Sequence, residues 1–281
     1  MKRIYFIIIA FLLINPVLNA TGFSFALITD MHIDCANEDN STVLASVIEE
    51  INANNDIAFV LIAGDVTDKG DSAAFLKTSQ LLKVLKKPFY ITFGNHDVLS
   101  SKAGKRAYAS FFDDDKFAFI YNDVFFCGIT SCPPQPGANA VITAQDLSWL
   151  QNQLNKQSKG IPVFVVTHYP LQTGDVDNWY TLTDIIRQYN VQLVLNGHYH
   201  RNALLNYDEI PGIVNRTTQR KSGDNGAYTI YSIDSSIRIS EKRVGQTAEM
   251  WIELPFENKT YAEPDTSLRQ LNYNNNEPIT L

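Results

Sequence analysis

Five apolar runs rich in β-forming residues recur along this chain, and most of them end in a short polar motif. Short, continuous apolar runs bounded by turn residues are typical of strands that are covered on both faces. Stretches with apolar residues at helical spacing lie between these runs, so that strands and helices alternate. The pattern predicts a layered α/β fold. The five strands are predicted at residues 23–29, 58–63, 88–93, 161–167 and 191–195.

Further elements are predicted by periodicity. Thr143 followed three residues later by Asp146 resembles a capping motif at the start of a helix. Helices are predicted at 41–52, 72–85, 103–112, 144–154 and, more briefly, 183–189. A strand without a motif is predicted at 124–129, after the run at 117–121. After His200, partly alternating residues predict antiparallel strands at 228–233, 237–244 and 248–254, which we expect to close a second sheet.

All five histidines of the chain lie in motifs that resemble metal-site motifs. They are His32, His96, His168, His198 and His200, each near the end of an apolar run and beside Asp, Asn or Gly. Functional groups of open α/β sheets gather beyond the carboxyl ends of the strands, so these side chains can converge. Imidazole and carboxylate groups together are common ligands of transition metals. The pattern therefore predicts a metal-dependent enzyme.

The spacing within the motifs indicates how the ligands would be used. Asp30 and His32 are two residues apart, and in extended backbone both side chains would point the same way. Asp65 follows a glycine and carries two oxygens, so it could bridge two ions. The candidate ligands number about what two adjacent five- or six-coordinate ions require. They are Asp30, His32, Asp65, Asn95, His168, His198 and His200.

The ordered motifs resemble those of the calcineurin-like metallophosphoesterase superfamily, and its small phosphodiesterase-like members in particular. The resemblance runs from about residue 23 to 205, and five motifs in order are far more specific than one. The motifs are Asp30-x-His32, Gly64-Asp65-x-x-Asp68, Gly94-Asn95-His96-Asp97, His168 and Gly197-His198-x-His200. The resemblance implies a four-layer β-sandwich flanked by helices. It also implies two divalent or trivalent metal ions, with Mn, Fe or Zn expected.

The resemblance further implies hydrolysis of a phosphodiester or a phosphomonoester by a hydroxide that bridges the two metals. One ion would be held by Asp30, His32, Asp65 and His200. The other would be held by Asp65, Asn95, His168 and His198. His96 would protonate the leaving oxygen as a general acid, and Asp97 would hold its ring and favour the protonated form. Asn95 and Arg201 are the expected substrate-binding residues.

The net charge of −7 argues against nucleic acid or an anionic membrane as a bulk partner. A small phosphorylated substrate is the expected partner, and the oligomeric state is left open. Four basic residues could bind a phosphate or another anion, or could be solvated surface charges. They are Arg201, Arg216, Arg220 and Lys221. Asp68 and Asp34 are extra acids that could be turn residues or neighbours of the site.

Residues 1–20 have the layout of a secretory signal peptide, with Lys2 and Arg3 before an apolar run at 4–14 and Ala20 at a plausible cleavage point. We therefore expect export to the periplasm or the medium and no stable membrane anchor. An uncleaved anchor is the alternative, although a membrane span needs about 20 apolar residues. A single domain is predicted at 21–261, followed by a loose polar tail at 262–281.

Two further alternatives stay open. Cys127 and Cys132 could pair in an oxidising compartment, or they could be buried as small apolar residues. A non-catalytic binding scaffold with the same fold is the alternative to an enzyme. Such a loss of catalysis would usually appear as missing ligands or a missing acid, whereas here His96 and the whole ligand set are present.

Overall fold

The computed structural model describes residues 22–36, 38–98, 104–133, 138–221, 224–267 and 269. The predicted signal peptide at 1–20 lies outside this part, and so does the end of the chain at 270–281. Export and the division into leader, domain and tail therefore stay predictions. Among the described residues, no helix is both long and apolar enough to cross a membrane.

Strands and helices alternate through the first two thirds of the chain. The helices found in the described ranges are α1 (Asp39–Ala53), α2 (Ser72–Leu82), α3 (Gly104–Phe112), α4 (Ala144–Asn155) and α5 (Trp179–Ile186). The strands are β1 (Phe23–Ile28), β2 (Ile57–Ala63), β3 (Phe89–Thr92), β4 (Phe117–Tyr121), β5 (Val124–Gly128), β6 (Pro162–Val166), β7 (Asn190–Asn196), β8 (Ala203–Tyr207), β9 (Ile210–Val214), β10 (Ala227–Ile233), β11 (Ser236–Arg243) and β12 (Glu249–Pro255).

The strands form two six-stranded sheets. The first has the order β12-β11-β10-β1-β2-β3, and the second has the order β4-β5-β6-β7-β9-β8. Strands β1, β2 and β3 pair in parallel, as do β5, β6, β7 and β9. The carboxyl ends of β1, β2 and β3 therefore share one edge of the first sheet, and those of β6 and β7 share one edge of the second.

Three apolar cores show the layering. Between the sheets, Phe25 stacks on Tyr231 with ring centroids 4.8 Å apart, and Phe164 and Phe126 contact it from the second sheet. The outer face of the first sheet packs against α1, α2 and α3, and that of the second packs against α4 and α5. Burial of these faces stabilises the sandwich by about 25 cal/mol per Å² of apolar surface. The predicted four-layer sandwich flanked by helices is confirmed.

The C-terminal strands differ from the expectation in one respect. β10, β11 and β12 are antiparallel, as predicted. However, β10 pairs with β1 in the register Phe25↔Tyr231, so the three strands extend the first sheet. The expectation that they close a second sheet is wrong. The pairing of β10 with β1 places the Tyr231 ring in a stack with Phe25 between the two sheets.

The predicted cap of helix α4 is present. Thr143 accepts a hydrogen bond from the backbone N–H of Asp146 at 3.1 Å, and its hydroxyl donates to the Asp146 carboxylate at 2.7 Å. This side-chain cap satisfies an N–H group that the first turn of α4 leaves without a partner. Helix α5 begins at Trp179, four residues before the predicted start at 183.

The hairpin of β8 and β9 was absent from the sequence-based prediction. Its turn residues, Asp208 and Glu209, have φ values of 52° and 71°. Two-residue hairpin turns with positive φ usually contain Asn or Gly, so this pair gives little turn signal. The hairpin matters for the site because β9 pairs with β7 and thereby covers its edge.

The chain after β12 crosses to the second sheet. The Tyr261 hydroxyl donates to the Val191 carbonyl at 2.5 Å, and Arg187 donates to the carbonyl of Ala262 at 2.5 Å. Arg269 pairs with Asp184 at 2.6 Å and with Asp208 at 2.7 Å. These contacts tie the start of the predicted loose tail to the domain.

Candidate metal centre

The seven predicted ligands follow five different strands and meet at one place. Asp30 and His32 follow β1, Asp65 follows β2, Asn95 follows β3, His168 follows β6, and His198 and His200 follow β7. Backbone hydrogen bonds join the loops that carry them, from His32 to Asp65 at 3.0 Å and from Gly197 to His168 at 3.0 Å. The two sheets thus present their carboxyl ends to a shared cluster of side chains.

One half of the cluster contains Asp30, His32 and His200, whose possible ligand atoms lie within 4.8 Å of one another. His200 Nε2 is 3.1 Å from an Asp30 carboxylate oxygen and 3.1 Å from His32 Nε2. His32 Nε2 is also 3.7 Å from Asp65 Oδ2. Two imidazole nitrogens and two carboxylates that point at one spot are a donor set that suits a transition-metal ion.

The other half contains Asp65, His168 and His198, again within 4.8 Å. His168 Nε2 lies 3.1 Å from Asp65 Oδ2 and 3.1 Å from Asn95 Oδ1. Asp65 is therefore close to ligands of both halves, which is the position that a bridging carboxylate requires. These residues could hold metal, and a third possible group in the described residues joins His32, Asp65 and His96.

Neighbouring groups orient these side chains. His168 Nδ1 donates to the carbonyl of Ala63 at 2.7 Å, which leaves Nε2 as the nitrogen that faces Asp65. The Asp30 carboxylate accepts a hydrogen bond from the Thr29 hydroxyl at 2.8 Å and from the His198 N–H at 3.1 Å. Such outer contacts fix ring orientation and tautomer in metal sites.

Five of the seven candidate ligands have left-handed backbone. They are Asp30 (φ 52°), His32 (φ 45°), Asp65 (φ 50°), His198 (φ 69°) and His200 (φ 56°). The expectation of extended backbone at Asp30 and His32 is wrong, since their side chains converge through this unusual conformation. Each such residue costs on the order of 1–2 kcal/mol, and backbone strain of this kind concentrates at functional sites.

Burial and charge shift the pKa values of the cluster. Burial lowers the pKa of His168, but the neighbouring Asp65 carboxylate outweighs it and raises the value to about 9. Burial likewise tends to raise the pKa of Asp65, yet the imidazole of His168 brings it well below the usual range. Burial and the charge of His168 lower the pKa of His198 to about 4. Burial also lowers the pKa of His32.

His96 lies at the edge of this cluster. Its ring centroid is 4.4 Å from that of His32, and its side chain is 32% exposed, so it faces both the cluster and solvent. Its Nδ1 is 2.8 Å from the carbonyl oxygen of Asp68 and 3.8 Å from the Asp68 carboxylate. His96 also lies close enough to His32 and Asp65 to be counted with them as a possible ligand.

Asp97 has a different role from the one expected. Its buried carboxylate accepts hydrogen bonds from Gly94 N at 2.8 Å, from the N–H and hydroxyl of Thr67 at 2.9 Å each, and from Val66 N at 3.3 Å. These bonds tie the loop after β3 to the loop that carries Asp65. The group that holds the His96 ring is the carbonyl of Asp68. The sequence had left Asp68 as a turn residue or a neighbour of the site.

The outlying candidates are distributed as follows. Arg201 is exposed, with its guanidinium carbon 5.8 Å from the centre of the Tyr199 ring. Arg216 is nearly buried and pairs with Asp224 and Glu241, which makes it a structural cation.

Cys35, Cys127 and Cys132 are free thiols, and burial raises the pKa of the latter two, in agreement with the apolar alternative.

Most of the chain matches a known protein family. The family model described as calcineurin-like phosphoesterase matches residues 23–202. This range contains all seven ligand candidates together with His96, Asp97 and Asp68. The chain belongs to the calcineurin-like phosphoesterase family.

Curated relatives are similar at about a quarter of their positions. A probable glycerophosphodiester phosphodiesterase of Arcobacter nitrofigilis is 27% identical over 54% of this chain and 59% of its own length. A serine/threonine-protein phosphatase of Rattus norvegicus is 27% identical over 59% of this chain and 61% of its own length. A probable cyclic nucleotide phosphodiesterase of Coxiella burnetii is 25% identical over 77% of this chain and 88% of its own length. The chain thus spans about three fifths of the first two relatives.

Solved structures show the same fold. A purple acid phosphatase from yellow lupin superposes with a TM-score of 0.60 at 10% identity, covering 84% of this chain and 54% of that one. GAP50, described as the anchor in the inner membrane complex of Plasmodium, superposes with a TM-score of 0.56 at 12% identity. The match covers 90% of this chain and 94% of that one. At these identities the likeness concerns the fold alone.

Proposed function

We propose that this protein is a phosphoester hydrolase that uses two metal ions held by the seven-residue cluster. The observation that carries the proposal is the position of Asp65, within 3.7 Å of His32 Nε2 and 3.1 Å of His168 Nε2, between two groups of imidazole and carboxylate ligands. Family membership supports the same class of reaction. Bound cations of this kind neutralise charge on phosphate oxygens and acidify the attacking water.

Individual side chains of the site have different proposed roles. His168 and Asp30, both fully buried, are ligands with little contact with solvent. Asn95 is half-buried beside His168, where its amide can contact a phosphate oxygen. With Nδ1 of His96 donating to the Asp68 carbonyl, Nε2 is the ring nitrogen left to give a proton to the leaving oxygen.

We favour a phosphodiester over a phosphomonoester as the substrate. The relatives carry both kinds of name, with two probable phosphodiesterases and one protein phosphatase among those compared. The sequence motifs resemble the small phosphodiesterase-like members more closely. Parallel assays of bis-aryl and mono-aryl phosphates with Mn, Fe, Zn and Mg test the choice and name the preferred metal. A monoester preference with every metal would contradict it.

Two substitutions test the division of labour. His96→Ala is expected to lower kcat by about 10²–10⁴, the usual contribution of a general acid, while bound metal per protein stays unchanged. Asp65→Ala is expected to lose metal, because it removes the carboxylate that both halves share. Elemental analysis and steady-state kinetics on both variants provide the measurement. If His96→Ala also lost both ions, His96 would be a ligand and the assignment of the acid would be wrong.

A non-catalytic scaffold is the second candidate, and one observation favours considering it. GAP50 superposes on 90% of this chain and is described as an anchor. A scaffold would bind metal, if at all, without hydrolysing any phosphoester. Metal-loaded protein that turns over no aryl phosphate above the buffer rate would support the scaffold and contradict the enzyme. We also expect export and a small phosphorylated substrate, on the sequence grounds given above.

A further inference from the structure

Two cationic residues adjoin the metal-ligand candidate His200, one through a hydrogen bond and one in the sequence. The Lys221 ammonium group donates to the backbone carbonyl of His200 and lies close enough to Asp30 to interact with its charge. Arg201 is the next residue in the chain after His200 and is exposed. In a protein with a net charge of −7, two cations at the rim of one site form a local positive region.

The side chain of Arg201 is supported by the ring of Tyr199. Its guanidinium lies over the Tyr199 ring at 5.8 Å, an arrangement that favours one side-chain conformation over many. The Tyr199 hydroxyl donates to the Asp175 carboxylate and accepts from Gln172 Nε2 at 2.5 Å. Gln172 also donates to Asp175 at 2.9 Å. The loop after β6 therefore holds Tyr199, and Tyr199 in turn holds Arg201.

Another nearby cation, Arg216, is already paired with carboxylates. Arg216 pairs with Asp224 and Glu241 and is 9% exposed, so its charge is neutralised inside the protein. Among the described residues, neither Arg201 nor Lys221 forms an ion pair with a carboxylate. The Lys221 ammonium donates to the His200 carbonyl, and Asp224, Asp30 and Glu241 lie close enough to interact with its charge. Arg201 and Lys221 are thus the cations adjacent to His200 that can meet an incoming anion. Arg220 is also exposed, but no contact among the described residues places it at His200.

We propose that Arg201 and Lys221 form a subsite for a second anionic group, one that belongs to the substrate but is not the phosphate undergoing hydrolysis. The inference rests on the proposed function and deepens it, since it predicts a phosphodiester whose alcohol carries a carboxylate or a further phosphate. The Lys221 ammonium lies at the backbone of His200, a candidate ligand of the half that contains Asp30 and His32, and Arg201 follows His200 directly in the chain, so the second anion would extend from the phosphate over His200. Tyr199 acts as a positioning residue for Arg201.

The test uses two nearly isosteric diesters that differ by one charge. Bis(4-nitrophenyl) phosphate carries one negative charge, and 4-nitrophenyl 4-carboxyphenyl phosphate carries two. We expect wild-type protein to have the higher kcat/KM for the carboxylate ester. Arg201→Gln and Lys221→Gln should each lower the ratio of the two kcat/KM values by about tenfold, the scale of one charge-assisted hydrogen bond.

Control variants show whether a change in the kcat/KM ratio comes from the subsite, from loss of any positive charge, or from loss of bound metal. Lys87→Gln removes the same charge at the opposite, amino-terminal edge of the strands, beside Asn55 and Asp234, and should leave the ratio unchanged. Tyr199→Leu should lower the ratio nearly as far as Arg201→Gln, whereas Tyr199→Phe keeps the ring and should retain more of it. Metal content is measured for every variant, because the ratio is interpreted only between fully loaded samples.

The outcomes are distinct. Equal ratios in wild type and in both cation variants would overturn the subsite, and so would an equal fall in Lys87→Gln. Failure of wild type to hydrolyse either ester would contradict the proposed function instead. In that case calorimetric dissociation constants of the two esters, with the same variants, decide the subsite: tighter binding of the carboxylate ester that depends on Arg201 and Lys221 supports it, and equal binding overturns it.

Discussion

Gly94 illustrates how a single atom decides the geometry of the site. A Cβ added at this position would lie 2.0 Å from Asp65 Oδ1 and 2.3 Å from the Asp65 backbone nitrogen. The absent side chain therefore lets the loop after β3 lie directly against the carboxylate shared by both halves of the cluster. The glycine is required by this close approach.

Replacing Gly94 by alanine should displace Asp65 and weaken metal binding by about 10–100-fold, the effect common for residues that support metal ligands. The measurement is a metal titration followed by elemental analysis. Gly160→Ala is the matched control, because a Cβ there meets no atom within 4 Å, and it should bind metal like wild type. Normal metal affinity in Gly94→Ala would show that the loop can shift without cost.

Asp97 provides a second prediction at this scale. Its carboxylate accepts hydrogen bonds from Thr67 and Gly94, so Asp97→Asn places an amide N–H against backbone donors. We expect the free energy of unfolding to fall by about 1–3 kcal/mol, the cost of unsatisfied buried groups. Urea denaturation measures it. A variant with wild-type stability but an altered pH profile of kcat would restore Asp97 to the role of holding the His96 ring.

At the scale of elements, the carboxyl ends of β6 and β7 are joined by a buried asparagine. Asn196 Nδ2 donates to the Thr167 hydroxyl at 2.7 Å and to the Tyr169 carbonyl at 2.9 Å, on either side of His168. Its Oδ1 accepts from the Tyr207 hydroxyl at 2.8 Å, which adds β8 to the network. Because Asn196 also precedes the loop of His198, one side chain sets the distance between two ligand loops.

Asn196→Ala should lower metal affinity by about tenfold or more, as expected when supporting hydrogen bonds to a metal site are lost. Asn190 is the matched control, since it is a buried asparagine with several hydrogen bonds at the opposite end of the same strand. Asn190→Ala should lose comparable stability but keep its metal affinity. Equal losses of affinity in both variants would mean that Asn196 acts only through overall stability.

At the scale of the whole molecule, the cluster links stability to pH. The folded-state pKa of His168, about 9, lies above its ordinary value of 6.5, because the Asp65 carboxylate outweighs the effect of burial. Protonation of His168 therefore stabilises the folded, metal-free protein. This contribution is complete below about pH 6.5 and is lost as the pH rises through about 9.

In protein treated with chelator, we expect the free energy of unfolding to fall between pH 6.5 and 9 by an amount on the order of 3 kcal/mol at most. His168→Gln lacks the titrating group, so its decline over this window should be smaller. Urea denaturation at several pH values compares the two. Parallel curves for wild type and His168→Gln would show that the ion pair with Asp65 contributes no pH dependence.

Much of the molecule was predictable from local pattern. The apolar runs at 23–29 and 58–63 became β1 and β2, and the capping residues Thr143 and Asp146 begin α4 as expected. The hairpin of β8 and β9 was not predicted, because Asp208 and Glu209 give little turn signal without a glycine or asparagine. The placement of β10 beside β1 depends on packing between distant aromatic rings, which has no local signature.

The sequence by itself determined which residue types would meet: motifs at strand ends, in a fold whose strands end at a common edge, name the seven ligand candidates. Only the tertiary structure decided how they are held. Left-handed backbone at Asp30 and His32, the carbonyl of Asp68 behind His96, and the hydrogen bonds of Asp97 all involve contacts between separate loops. Spacing along a chain reports side-chain type and local direction, whereas orientation is set by neighbours that the fold supplies.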